Sequence, residues 1–287
     1  MPALLIVLLC YLLMANALAA PVEVRLLQAP AWRVQGESRS ALLPGQALDA
    51  GDSVATGPGA RVVLALSEGS TVKLGENAEL ALRELREPAS GDGVFKGFLD
   101  VVRGAFRFTT TVVGRKRDVR ARIGSATIGI RGTDVWGKHE DSRDFVVLLE
   151  GRIEIERDGQ SVALSEANSL FMAPRGQPAL PLAPVKPEDL ARWAQETEPQ
   201  AAGGQRDGLG AYRLMFALLD DAARARALLE QLARAGHGAV LEEVTLPTRR
   251  AWRVSVPGYI NGAEAQAAAS ALVTVTGGVR PWLRRDP

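Results

Sequence analysis

Few residues of this chain are equipped for bond-making chemistry. It has two histidines, His139 and His237, and one cysteine, Cys10. His139 stands in Lys138-His139-Glu140-Asp141, which offers the donor types of a metal site or an acid–base pair. A polar hairpin tip accounts for the same residues more simply. His237 lies between Gly236 and Gly238, behind a helical stretch, and reads as a solvated turn residue. The sequence carries no convincing Ser-His-Asp order, phosphate-cradling glycine loop or paired carboxylates. The expectation is therefore a non-enzymatic protein with no catalytic residue, metal ligand or cofactor.

The arginines suggest recognition instead. Arg115-Lys116-Arg117, with Arg120 and Arg122, forms a basic cluster that could meet an acidic partner or an anionic polymer. A solvated hairpin explains it more plainly, since charge runs usually mark exposed turns. Arg131 differs: it follows Ile128-Gly129-Ile130 and precedes Gly132. An arginine held among apolar neighbours can brace several carbonyls with its five donors. It reads as a strut first and a ligand contact second.

The elements that must position these residues fall into two patterns. From about Val22 to Pro174, glycines separate short runs with period-two alternation, and no long helical period appears. Val62, Leu64 and Leu66 share one face; so do Val119, Ala121 and Ile123, and again Ile153 and Ile155. Asp158-Gly159 makes a tight turn between two such runs. This predicts an all-β domain over 20–174, a sandwich or a β-roll. Pro174, Pro178, Pro181, Pro184 and Pro187 end it, because proline lacks a ladder donor. A linker rich in Pro and Gly is expected over 175–210. It holds a short helix from Pro187 to Gln195, with Leu190 and Trp193 on one side, and a flexible stretch from Glu196 to Gly210.

From Tyr212 the order reads βαββαβ, an α+β unit over 211–285. Tyr212–Leu219 is a strand, and Asp220 caps a helix stopped by Gly236. Its apolar stripe is Ala225, Leu228, Leu229 and Leu232. Two strands follow, Ala239–Leu246 and Trp252–Val256. Asn261 caps a second helix with Glu264 three residues on, as in a capping box. Ala265, Ala268, Ala269 and Leu272 form that helix's stripe, and Val279–Leu283 is the last strand. Such a unit packs both helices on one sheet face and leaves the other open. Strand parity sends Leu214, Phe216 and Leu218, with Trp252, Val254 and Val256, toward the helices. Arg213, Met215, Leu219, Arg253, Ser255 and Trp282 then share the open face. Rings stack on pyranose faces and guanidinium donates to hydroxyls, so this set suits a sugar polymer. A self-association patch under Met215 and Leu219 is the plainer alternative.

The 287 residues are enough for two domains, and 47% hydrophobic with 23% charged composition is that of a soluble globular protein. A formal net charge of +1 argues against nucleic acid or a membrane surface as partner. The apolar run Ala3–Met14 is short of the roughly 20 residues a bilayer span needs. It ends in Ala15-Asn16-Ala17-Leu18-Ala19-Ala20, the small-residue spacing of a secretory signal. Cleavage is expected after Ala19, since a cut after Ala20 would leave Pro21 beside the scissile bond. Cys10 is preceded by Leu9, which does not suit a lipoprotein signal. The chain after 1–19 then has no cysteine and no integral membrane segment.

Four stretches resemble the FecR family. Gly51-Asp52-Ser53-Val54-Ala55-Thr56-Gly57 and Ser67-Glu68-Gly69-Ser70-Thr71-Val72-Lys73-Leu74 are similar to its opening strands. Ala126-Thr127-Ile128-Gly129-Ile130-Arg131-Gly132-Thr133-Asp134-Val135 resembles its central Arg-Gly-Thr signature. Val146-Val147-Leu148-Leu149-Glu150-Gly151-Arg152-Ile153 resembles the strand-turn-strand that follows. The resemblance spans about Gly45 to Met172 and implies a periplasmic β-rich module, with Arg131 and Thr133 as structural or ligand contacts. Founding members relay a signal from an outer-membrane iron transporter to a sigma factor through a cytoplasmic segment and a membrane span, which are not expected here.

Tyr212–Arg285 is similar to the SPOR domain in length, order and motif. Trp252-Arg253-Val254-Ser255-Val256-Pro257-Gly258-Tyr259 follows that family's third strand with Gly-Pro reversed. On the first strand Met215, Ala217 and Leu219 replace the family's Gln, Gly and Phe. SPOR domains bind glycan strands of peptidoglycan stripped of peptide stems. The resemblances together imply a periplasmic binding protein tethered to peptidoglycan, with an envelope protein of unknown identity on its FecR-like domain. The alternative is an accessory of FecR-type envelope signalling, in iron transport or sigma-factor regulation, acting through a membrane partner.

Overall fold

The computed structural model describes residues 21–88, 93–110, 116–130 and 132–286. The expected cleavage site, Arg115 and Arg131 lie outside the described residues. Short alternating runs become strands β1 (Val22–Gln28), β2 (Ala31–Gln35), β3 (Ser38–Ala41), β4 (Ala47–Leu48), β5 (Ser53–Thr56), β6 (Arg61–Leu66), β7 (Ser70–Leu74) and β8 (Glu79–Arg86). A long strand β9 (Phe95–Thr110) follows, then β10 (Arg117–Ile123), β11 (Ala126–Ile130), β12 (Asp134–Glu140), β13 (Arg143–Glu150), β14 (Ile153–Arg157), β15 (Gln160–Leu164) and β16 (Ser169–Pro174). A connecting stretch holds β17 (Ala183–Pro184), α1 (Pro187–Thr197) and β18 (Gln205–Asp207). The second unit is β19 (Tyr212–Leu219), α2 (Ala222–Arg234), β20 (Val240–Thr245), β21 (Arg250–Tyr259), α3 (Gly262–Val275) and β22 (Trp282–Arg285).

The first unit is a two-sheet sandwich. One sheet runs β1-β6-β7-β9-β12-β13-β16-β17 and the other β3-β2-β5-β8-β9-β10-β11-β14-β15. Strand β9 belongs to both: Phe95–Arg103 pairs with β8 and β10, and Gly104–Thr110 with β7 and β12. Gly104 sits at the crossover with φ +80°, and a Cβ there would lie 2.5 Å from the Ala78 backbone, so only glycine fits. The alternating residues meet as predicted: Val62, Leu64, Val119, Ala121, Ile123, Ile153 and Ile155 are buried in one core with Phe106 and Phe108.

The second unit has sheet order β20-β21-β19-β22, antiparallel throughout. Asp221, one residue later than predicted, caps α2 by accepting from the Ala223 and Arg224 amides. Asn261 caps α3 as predicted, accepting from the Glu264 amide at 2.9 Å. Ala225 and Leu232 on α2, and Ala265 and Leu272 on α3, close over Leu214, Phe216, Val254 and Val256.

Two expectations for the connecting stretch are corrected. The proline-rich segment does add to the sheet: Ala183–Pro184 pairs with Ser169–Leu170, and the Leu180 and Val185 amides donate to Met172 and Asn168 carbonyls. Proline forbids only its own donor, and the residues between supply theirs. The stretch Glu196–Gly210 is not an unstructured linker. Thr197 is buried, and β18 pairs with β1 through Leu26↔Asp207, Leu27↔Arg206 and Gln28↔Gln205. It also meets β21 at Arg206↔Tyr259, so one ladder runs from the sandwich into the second unit. Its backbone groups are satisfied by strands far from it in the chain, which no local pattern encodes.

Candidate glycan-binding face and the domain junction

The sheet face away from α2 and α3 gathers most of the residues assigned to it. Met215 lies opposite Ser255 on one side and Trp282 on the other, and Val240 opposes Ser255, so these form one cross-strand row. Arg213 precedes that row on the same face. Its Nε donates to Asp286 at 2.8 Å, and its guanidinium reaches Ser255 Oγ at 3.4 Å and Glu242 at 3.5 Å. Arg253 opposes Glu242 and donates to its carboxylate from Nε at 2.7 Å. Met215 and Ser255 are buried, while the Trp282 ring is 50% exposed. The arginines assigned to a ligand are thus neutralised by Glu242 and Asp286, two carboxylates the sequence reading did not assign to this face. The Asp286 hydrogen bond, outweighing desolvation, raises Arg213 above its ordinary pKa.

Leu219 is not on this face, and Leu218 is. The ladder with β21 shifts between Met215↔Ser255 and Ala217↔Val254, leaving Phe216 as an extra residue. Such a bulge inverts the parity beyond it. Leu219 then opposes Trp252 and packs on the helix-side core, whereas Leu218 opposes Arg253 and is 41% exposed.

In the sandwich, Thr133 follows Gly132 (φ +66°) at the start of β12. Its carbonyl accepts from the Thr110 amide at 3.2 Å. Its Oγ1 is buried and has no hydrogen-bond partner among the described residues. A Cβ on Gly151 would come within 2.7 Å of the Thr133 methyl, so the turn before β14 closes directly over Thr133. His139 sits near the tip of the β12–β13 hairpin, as expected, with Nδ1 2.5 Å from Asp144 Oδ1. Asp144 Oδ2 also accepts from the Ser125 amide and hydroxyl, each at 3.1 Å. The aspartate lies between serine and histidine, so the histidine cannot take the serine proton. Among the described residues no group of three His, Cys, Asp or Glu side chains could hold a metal ion.

In the basic cluster, Arg120 and Arg122 are outward and pair with Asp118 and Asp100. Arg117 departs from the solvated-hairpin expectation: it is buried against Glu68 at 3.2 Å.

Residues 52–154 match the family model described as FecR protein, and residues 208–285 match that of the SPOR domain. The chain carries a FecR domain followed by a SPOR domain. No curated protein matches it. Two crystal structures of a candidate anti-sigma factor from Parabacteroides distasonis ATCC 8503, at 2.50 and 1.65 Å resolution, are similar at 14% identity, with TM-scores of 0.41 and 0.40. The similarity covers 82% of this chain and 99% of each of those. No helix among the described residues is long and apolar enough to cross a membrane.

The FecR and SPOR domains meet across a built junction. Arg206 on β18 is fully buried, donating from Nε to the Pro257 carbonyl at 2.7 Å and from Nη2 to the Gly238 carbonyl at 2.9 Å. Glu264 does not fold back on Asn261 as a capping box would. Its carboxylate instead accepts from the backbone amides of Ala202, Gly204 and Gln205 at 2.8–3.0 Å, which ties α3 of the SPOR domain to the connector. The turn after α2 enters the junction too. A Cβ on Gly236 would lie 2.6 Å from the Trp32 ring, and one on Gly238 2.3 Å from the Leu42 carbonyl. His237 between them is therefore not the solvated turn residue expected. It is 9% exposed, and burial, with the nearby Arg206 charge, lowers its pKa to about 4.

Proposed function

We propose that the protein is an exported, non-enzymatic binding protein of the periplasm. Its SPOR domain rests on glycan strands of peptidoglycan, and its FecR domain receives a protein partner of the envelope. The observation that carries this reading is the outer SPOR face, where the exposed Trp282 shares a sheet surface with Arg213 and Arg253. A ring of that exposure offers a stacking surface for a pyranose. Arg253 uses Nε and Nη2 on Glu242, leaving its Nη1 group for a sugar hydroxyl. Met215 replaces the family's glutamine with an apolar contact, so binding is weaker than where a polar group fixes register.

The test is cosedimentation of the chain from Ala20 onward with purified sacculi, before and after an amidase removes the peptide stems. Sedimentation that rises with stem removal and falls in Trp282→Ala and Arg253→Ala supports the reading. A chain that stays in solution on both preparations rejects it.

The FecR match over residues 52–154 favours a second reading, in which the chain serves envelope signalling through a membrane partner. Deleting the gene should then alter sigma-factor-dependent transcripts under iron limitation. An unchanged transcript profile rejects that reading.

A further inference from the structure

The FecR sandwich carries a groove that, among the described residues, the SPOR domain does not line. It is about 890 Å³ and lies between β14–β15 and the proline-rich segment, with Ile155, Val162 and Phe171 in its apolar wall. Leu180 and Leu182 line its far side and remain 46% and 45% exposed. At one end it runs, through the shared residues Ser125, Arg157 and Gly176, into a pocket of about 300 Å³ bearing Arg143 and Arg175. At the other it continues past Leu182 to Ala183 and Pro184.

The charges at the arginine end are unevenly matched. The carboxylates there are already engaged: Asp144 by His139 and Ser125, Glu140 by Lys138 at 3.0 Å and Arg143 at 3.6 Å, and Asp158 by Arg157 at 3.5 Å. Arg157 is fixed by its bonds to Ser125 Oγ at 2.8 Å and the Gln177 carbonyl at 2.9 Å. Arg175 reaches only the Asp141 carbonyl, at 3.4 Å, and has no carboxylate partner among the described residues. Beside the groove, β15 pairs with β14 alone among the described residues, so its other edge presents backbone donors and acceptors that no described strand meets.

We infer that this groove receives an extended segment of a partner protein, which adds to the β15 edge. Its alternate apolar side chains enter the cleft beside Phe171 and Leu182, and an acidic residue reaches Arg175. The free edge supplies main-chain hydrogen bonds, the apolar wall selects alternate side chains, and Arg175 fixes direction. This rests on the reading of the FecR domain as the partner-binding half.

The test is selection of a phage-displayed random peptide library on the full chain from Ala20 onward. It is run beside Arg175→Glu and Leu182→Asp variants, whose side chains are exposed enough for folding to survive. The expected peptides place an acidic residue next to alternating apolar ones. They should bind Arg175→Glu and Leu182→Asp about tenfold more weakly or worse, and Arg175→Glu should enrich basic peptides instead. Peptides that bind all three proteins equally would overturn the groove while leaving a partner-binding FecR domain standing. No enrichment on any of them would overturn both. Anionic phospholipid vesicles that bind through Leu182 and Arg175, without peptide enrichment, would overturn the peptide in favour of a lipid. Sacculus binding by the same variants reports separately on the SPOR domain.

Discussion

Trp193 of α1 stacks on Trp136 of β12, with ring centroids 5.3 Å apart and planes within 7°. Phe145 closes the cluster at 6.0 Å from Trp193. Ion pairs reinforce it, with Glu196 on Lys138 at 3.0 Å and Glu198 on Lys73 at 2.6 Å. The helix that sequence placed in a linker is thus a strap across the outer face of the sandwich. Trp193→Ala should lower stability by about 2–3 kcal/mol, less than a fully buried tryptophan would cost. Chemical denaturation gives the loss, and protease should cut the variant first between residues 185 and 200. An unchanged midpoint and cleavage pattern would mean that the stack holds nothing.

Arg206, two residues before the matched SPOR segment, packs into that domain. Burial lowers its pKa, yet it braces the Pro257 and Gly238 carbonyls and lies over the Tyr259 ring at 5.7 Å. A fragment of residues 208–287 loses it, whereas residues 200–287 keep it together with the amides that cap Glu264. The longer fragment should be more stable by about 2–4 kcal/mol, since two buried carbonyls otherwise go unpaired. Equal melting temperatures of the two fragments would remove Arg206 from the SPOR core.

His237 makes the junction sensitive to acid. Its folded pKa of about 4 lies below the ordinary 6.5, so between those values the unfolded chain binds a proton that the folded chain refuses. Stability is full above about pH 6.5 and falls as pH drops toward 4, by up to about 3 kcal/mol from this group. His237→Gln cannot take up the proton and should flatten that part of the stability–pH curve. Melts from pH 7 to pH 4.5 check it; parallel curves for the two proteins would count against burial as the cause.

Glu242 competes with any ligand for Arg253 and Arg213. Glu242→Gln removes the charge and frees the Arg253 guanidinium on the outer face, while Arg213 stays on Asp286. Sacculus affinity should then rise by about two- to fivefold, the range set by half-exposed ion pairs. An affinity that stays the same or falls in quantitative cosedimentation would mean that Arg253 does not touch the glycan.

Much of the fold was legible in local patterns. Period-two runs such as Val62-x-Leu64-x-Leu66 found the strands, because a half-buried strand must alternate whatever it pairs with. Leu190 and Trp193 marked the face of α1, and Asn261 the start of α3, since helical spacing and capping are also local. The candidate glycan face was legible up to the bulge at Phe216. Beyond it parity failed, because one extra residue in a ladder is invisible until the partner strand is known.

By itself, then, the sequence determined the two domains, their order, the strand and helix faces, and the set Arg213, Met215, Arg253, Ser255 and Trp282 on one sheet surface. These follow from spacing along the chain. Only the tertiary structure decided that Leu218 replaces Leu219 there, and that Glu242 and Asp286 already hold the arginines. It likewise decided that Glu264 turns away from its own helix to the connector, and that His237 is buried. Each of these depends on a partner outside the residue's own element. Desolvation and pairing are properties of the assembled surroundings, and neither is written in a residue's immediate neighbours.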